Sequence, residues 1–319
     1  MSSVVSKEGL LTAGIETVVF NGWQNNLRLC NGTVELIVTL EVGPRILVYR
    51  KCGGINPLKI FENQSGTAGE PTWRNRGGHR LWIAPEDKVK TYFPDNAPVA
   101  WERLGALHAR LRPLPETTNG LQKELDISLD PVGTGVTIVH RVTRLEPSPA
   151  RLAPWALTVM APGGIAVVPH PEMGKHPQDL LPNRSLVLWP YTDMRDPRWC
   201  FGRKYLLLRQ DPAGAPTKIG LAHQLGWSGY LLGGVFFLKR YPWNPSAAYP
   251  DMGCNFEVFS NGKMVELESL GPLTLLHHCQ TVAHIEEWEL HDTGKLSDSS
   301  ASEEQIDELI RSIHGPSSA

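Results

Sequence analysis

Apolar and polar positions alternate along most of the chain. Val34, Leu36, Val38 and Leu40 are interleaved with Glu35, Ile37 and Thr39, and Leu125, Ile127 and Leu129 with Asp126, Ser128 and Asp130. A period of two marks a strand with one buried face. Roughly seventeen such runs follow one another from Glu16 onward, punctuated by Gly, Pro and Asn-Gly turns. Asn31-Gly32 and Asn261-Gly262 are the tightest of these hairpin signals. A helical spacing enters only at Ser302–Ile313, where Ile306, Leu309, Ile310 and Ile313 share one side. The pattern predicts an all-β chain: an arm at 1–14, one domain of two large antiparallel sheets at 15–292, and a flexible acidic tail at 293–319 with a short helix. The tail is polar and Ser-rich, so it is expected to add little to the core.

Composition narrows the function classes. The 319 residues carry a net charge of −2. From Lys295 onward there are two basic and five acidic residues, which leaves 29 basic and 28 acidic residues before it. That balance lacks the basic surplus of a nucleic-acid binder. No apolar run reaches the roughly 20 residues of a membrane-spanning helix. The N-terminus has no basic head followed by an apolar stretch. The five cysteines are scattered, without a CxxC pair, as expected of reduced thiols in a cytoplasmic protein. GxSxG, Walker, GxGxxG-helix and HExxH motifs are missing, and the histidines lack metal-ligand spacing, so no metal and no cofactor is expected.

Two stretches concentrate chemistry. Asn75-Arg76-Gly77-Gly78-His79-Arg80-Leu81-Trp82-Ile83-Ala84-Pro85-Glu86 gathers planar hydrogen-bonding side chains around a Gly-Gly turn. In the strand after the turn, His79, Leu81 and Ile83 share one face and Arg80 and Trp82 the other. The second stretch, 249–269, reads as a hairpin with Asn255 and Glu257 on one strand and Glu266 and Glu268 on the next. Its carboxylates suit either a solvated outer face or a concave face where they meet arginines and substrate hydroxyls. Lys239 closes the apolar run Val235–Leu238, either into a cleft or as an ordinary strand-end lysine; His140 reads as a core hydrogen-bonder. Among ten tryptophans, Trp73, Trp82, Trp101 and Trp243 are candidates for stacking on a sugar ring, though most tryptophans must be core.

These residues also carry a resemblance. Arg76-Gly77-Gly78 with Pro85 resembles the Arg-Gly-Gly-…-Pro segment of hexose-6-phosphate mutarotase-like proteins. Asn31-Gly32-Thr33-Val34-Glu35-Leu36 through Gly43-Pro44-Arg45-Ile46 resembles the opening hairpin of the galactose mutarotase-like superfamily. Glu266 to Leu273 and Glu287-Trp288-Glu289-Leu290 resemble its closing strands. Over roughly residues 15–292 the chain is similar to a bacterial branch of that superfamily.

The resemblance implies a β-supersandwich with a sugar pocket on its concave face. In aldose 1-epimerases a glutamate is the general base on the anomeric hydroxyl and a histidine the general acid at the ring oxygen. Glu268, then Glu266, match the base. The strand where the family carries its histidine aligns with Trp155-Ala156-Leu157-Thr158, which has none, so His79 is the expected acid. Arg76, Arg80, Trp82, Glu86, Lys239, Asp251, Asn255 and Glu257 are the expected substrate contacts. The expected partner is a small sugar or sugar derivative, phosphorylated and carboxylated forms included, because arginine grips such groups bidentately. Three classes remain open: an epimerase-like isomerase working by acid–base chemistry, a lyase- or glycosidase-like enzyme on an acidic saccharide, and a sugar-binding module without catalysis.

Overall fold

A computed structural model of the chain describes residues 13–294, 296 and 300–314. Most of the arm and parts of the tail lie outside these residues. The strands, numbered along the chain, form two antiparallel sheets. Sheet one runs β1 (Gly14–Phe20), β2 (Trp23–Cys30), β3 (Val34–Thr39), β4 (Ile46–Lys51), β5 (His79–Ala84), β10 (Ala150–Met160), β19 (Met264–Leu270), β18 (Phe256–Asn261), β15 (Thr217–Leu221), β12 (Val187–Leu188). The short β20 (Thr274–Leu276) also pairs with the start of β10. Sheet two runs β13 (Trp199–Phe201), β14 (Tyr205–Arg209), β11 (Ile165–Pro169), β16 (Trp227–Leu232), β17 (Val235–Arg240), β21 (Thr281–Asp292), β9 (Val136–Arg144), β8 (Leu121–Leu129), β7 (His108–Arg112), β6 (Ala100–Gly105). The alternation read from sequence is the origin of this sandwich. Leu27, Leu29, Val34, Leu36 and Val38 from sheet one meet Leu125, Ile127, Ile138, Phe237 and Trp288 from sheet two in one core.

The turn before β5 can be built only with glycine. Gly77 and Gly78 have φ of 85° and 67°. A Cβ on Gly77 would sit 2.0 Å from the Lys59 carbonyl oxygen, and one on Gly78 2.4 Å from that of Ile46. Positive φ without a side chain lets β5 start flush against β4. The two strands then separate, their register reduced to the single pair Ile46 with His79.

The tail departs from expectation. Helix α1 (Glu303–His314) does not extend as an appendage but packs on the outer face of sheet two. Ile306 and Ile310, with Ala301, lie against Ile165, Val167, Leu207, Leu231, Phe236 and Leu238. Glu303 accepts hydrogen bonds from the backbone N–H groups of Lys204 (2.6 Å) and Tyr205 (2.9 Å), and Lys204 Nζ lies 2.6 Å from Asp307. The helical spacing supplied an apolar stripe, and the sheet supplied an apolar patch that only such a stripe covers.

Candidate functional site

Five neighbouring strands of sheet one carry a polar row across the face turned away from sheet two, the face that the resemblance makes the concave one. The register sets Arg80 (β5), Leu157 (β10), Glu268 (β19), Glu257 (β18) and Gly220 (β15) opposite one another. With strands about 4.8 Å apart, the row is about 19 Å long. Side chains two residues away share that face, which adds Trp82, Trp155 and Leu270 on one side and Glu266, Phe259 and Lys218 on the other.

Two cations reach into this row from its ends. Arg80 Nη2 donates to Glu266 Oε1 at 3.0 Å, and its guanidinium lies 4.3 Å from the Trp82 ring centroid and 5.2 Å from that of Trp73. Lys218 Nζ lies 2.6 Å from Glu257 Oε2 and 2.8 Å from Glu268 Oε2. It is flanked by Trp155 and Trp189, at 4.8 and 4.6 Å from the ring centroids. Trp155 Nε1 donates to Glu268 Oε2 at 2.9 Å. Loops cover the face: Trp73 and Tyr92 pack on Trp82, at ring separations of 5.0 and 4.8 Å, and Tyr191 packs on Phe259. Even Glu266, the most exposed of the five charged groups, is only 7% accessible.

Burial sets the protonation. It raises Glu268, and although Lys218 opposes it, the Glu266 charge adds to it and the carboxyl is pushed up to about 7. Burial likewise holds Glu257 well above the usual carboxylate range, with Lys218 again opposing and Glu268 reinforcing. Burial works against the Lys218 ammonium, but the two carboxyls more than offset it. Glu257 Oε2 is taken by Lys218, but Glu257 Oε1 has no hydrogen-bond partner, and neither do Arg80 Nε and Nη1 nor Trp73 Nε1. Asp251 contributes to raising Glu257 and sits in the turn just before β18.

His79 and Lys239 lie elsewhere, and this corrects their expected roles. Strand alternation turns His79 away from Arg80, into the space between the sheets. His79 Nε2 lies 2.7 Å from His140 Nε2, and His79 Nδ1 lies 2.9 Å from Thr158 Oγ1. Lys239 Nζ lies 2.8 Å from Glu286 Oε1 and donates to the Leu267 carbonyl at 3.1 Å. Glu286 also accepts from Ser269 Oγ (2.5 Å) and Trp288 Nε1 (2.9 Å). The partners fix a consistent set of neutral imidazoles. His140 Nδ1 donates to the His284 carbonyl, so His140 Nε2 accepts from His79 Nε2, and His79 Nδ1 accepts from Thr158. The nearest metal-ligand constellation among the described residues is His79, His140 and Glu286, with ligand atoms within 4.8 Å of one another. Those lone pairs are committed to each other and to Lys239, which makes the cluster a core network.

Breaking this network is costly. Glu286→Gln leaves the Lys239 ammonium without its counter-ion in a site closed to water, and is expected to cost about 3 kcal/mol in urea unfolding. Acid adds to the strain. Burial lowers both His79 and His140, so the unfolded chain binds protons there that the folded chain does not. The contribution of these histidines to stability is therefore expected to fall as pH drops below about 6.5; the difference in urea unfolding between the parent and His140→Gln isolates it, and a difference that does not change between about pH 7 and pH 5 would contradict the neutral-histidine assignment.

The remaining expected contacts divide. Arg80, Trp82, Glu257, Glu266 and Glu268 converge on the concave face. Arg76 instead holds the loop before β5, through Glu70 Oε2 (2.6 Å), Asn96 Oδ1 (3.1 Å) and the Gln64 carbonyl. Asn255 is spent on the backbone of His223, with contacts of 2.5 and 2.9 Å. Glu86 is exposed and accepts from the Tyr92 hydroxyl at 2.6 Å. Trp73 and Trp82 border the face, whereas Trp243 stacks on Tyr249 and Trp101 lies on the outer strand β6. Lys218, Trp155, Trp189 and Tyr191 were not expected in the site. A single lysine inside the apolar strand Thr217–Leu221 was the available signal for the first.

No protein-family model and no curated protein matches the sequence. Solved structures do match the fold. A galactose mutarotase-like protein of Lactobacillus casei superposes with a TM-score of 0.55 at 10% identity, covering 84% of this chain and 100% of that one. A galactose mutarotase-like protein of Clostridium acetobutylicum gives 0.55 at 8%, over 88% and 99% of the two chains. A galactose mutarotase related enzyme of Lactobacillus acidophilus gives 0.55 at 8%, over 85% and 98%. The order and pairing of the sheets, the concave acidic face and these superpositions agree: the chain has the galactose mutarotase-like fold.

Proposed function

We propose that the concave face binds a sugar and exchanges its anomers by acid–base chemistry carried by carboxyl groups rather than by histidine. The observation that carries this reading is the Glu257–Lys218–Glu268 group. Two buried carboxyls share one ammonium, and burial raises both, Glu268 to about 7 and Glu257 well above the usual carboxylate range. Two raised carboxyls coupled through one cation supply a base and an acid at the same pH when one is ionised and the other holds its proton. Glu268 removes the proton from the anomeric hydroxyl; Glu257, on the neighbouring strand, returns one toward the ring oxygen. Lys218 holds both carboxyls in place and balances the charge that moves between them. Arg80 and Glu266 offer a fixed donor and acceptor for ring hydroxyls, and the Trp82 and Trp73 rings offer apolar faces. The unpartnered Oε1 of Glu257 supports a ligand with a polar hydrogen or acceptor at that point.

The test is anomer exchange measured by saturation-transfer NMR across free hexoses, hexuronic acids and hexose phosphates. The expected rate rises with pH through a midpoint near 7 as Glu268 loses its proton. Binding without exchange for every sugar would favour the second reading, a sugar-binding module. That reading draws on the depth of the site: Glu257 and Glu268 are 0% and 1% exposed.

A further inference from the structure

The separation of β4 from β5 leaves a cavity of about 300 Å³ beside Arg80 and Trp82. Residues 93–97 and 113–117 wall it from the loops, and β8 contributes Lys123, Glu124 and Leu125 from sheet two. Pro44, Pro94, Pro113 and Pro115 stand in its walls. Their fixed φ angles make it a preformed space that binding does not have to order. Its charges are already matched: Lys123 with Glu116 (2.5 Å), Glu124 with Arg112, Asp95 with Arg45 (2.8 Å). Only Arg80 retains N–H groups without a partner, at Nε and Nη1. Leu81, Phe93 and Leu125 complete an apolar lining. A space with its charges satisfied and its walls rigid accepts an apolar group and at most one acceptor.

Arg80 and Trp82 belong to this cavity and to the concave row alike. We infer that the ligand of the concave face is a sugar bearing an aryl or branched acyl substituent, and that the substituent occupies this cavity. The inference rests on the sugar-binding reading above. It also fixes where the substituent is attached. The cavity is lined by Arg80 and Trp82 at the β5 end of the row, whereas Glu268 stands two strands away, about 10 Å across the sheet. The substituent is therefore carried by a carbon remote from the one whose hydroxyl Glu268 deprotonates, as in a 6-O-acyl or 6-O-aroyl sugar with a free anomeric centre.

The experiment pairs glucose, galactose, mannose and their 6-O-benzoyl derivatives in calorimetric titrations of the full chain. At least one benzoyl derivative is expected to bind ten-fold or more tightly than its parent. Two variants probe the cavity alone: Leu114→Glu places a charge at its exposed rim, and Ala97→Phe fills its volume. Both are expected to bring the derivative down to the parent's affinity and to leave the parent unchanged. Equal binding of parent and derivative overturns the inference while leaving the sugar-binding reading intact. A benzoyl advantage that survives both variants also overturns it. Absence of binding by every sugar and every derivative overturns the sugar-binding reading, and this inference with it.

Discussion

Glu268→Gln is expected to yield a protein at least 100-fold slower in anomer exchange and yet more stable than the parent above neutral pH. The rate loss follows from removing the base, whose contribution in such reactions is about 10²–10⁴-fold. The stability gain follows from linkage. Folded Glu268 keeps its proton up to about 7, while an unfolded glutamate releases it near 4.5. Between these values folded Glu268 binds a proton that the unfolded one has released, so its contribution to stability falls as pH rises from 4.5 to 7 and stays low above. Glutamine is neutral and nearly the same shape, so it escapes that loss. Removing the Glu268 charge takes away one of the causes that hold Glu257 protonated, so Glu257 ionises as the counter-ion of Lys218 at 2.6 Å. The gain over the parent is expected to grow from pH 5 to pH 8 by on the order of 2 kcal/mol. Urea unfolding at those two pH values checks it. A gain of equal size at both, or a variant less stable at pH 8, would remove Glu268 as a buried base.

Deleting α1 by ending the chain at residue 294 is expected to cost roughly 6 kcal/mol or more and to promote aggregation. Ile306 and Ile310 are 1% and 5% exposed, and full burial of each such side chain stabilises by about 1.5–3 kcal/mol. The sheet loses as much as the helix does. Val167, Leu231, Phe236 and Leu238 would face water as one patch, of the kind that drives association. The point variant Ile306→Ala isolates the helix contribution and is expected to cost about 3 kcal/mol. Calorimetric melting decides between the two descriptions of the tail: an unchanged melting temperature for both variants is the result for an appendage.

The sandwich was legible because strand alternation and turn chemistry are local, and Gly77-Gly78 or Asn261-Gly262 announce themselves within a few residues. The docking of α1 was partly legible too. Val235-Phe236-Phe237-Leu238 is apolar on both faces, which in an antiparallel strand means that the outer face is covered; the helical stripe at 306–313 was the available cover. The site was harder. Its row joins β5, β10, β19, β18 and β15, five strands drawn from across more than half the chain, and no spacing in the sequence reports that order. The partners of Lys218 were not legible for that reason: it reaches Glu257 and Glu268 only because β15 pairs with β18. His79 is the opposite case. Alternation alone separates it from Arg80 and turns it toward the other sheet.

The network between the sheets has a mechanical consequence. Apolar packing is non-directional and would let one sheet slide over the other by a fraction of a residue at little cost. Hydrogen bonds between His79 and His140, from Ser269 to Glu286, and from Lys239 to the Leu267 carbonyl run across the gap and resist such shear. Each sheet-one member is the immediate neighbour of a concave-face residue: His79 precedes Arg80, and Leu267 and Ser269 bracket Glu268. The inner face of β5 and β19 therefore works as a ruler for their outer face. It holds Arg80 and Glu268 at a set separation, and a substitution at His79 would be felt as a change in that spacing without touching a ligand.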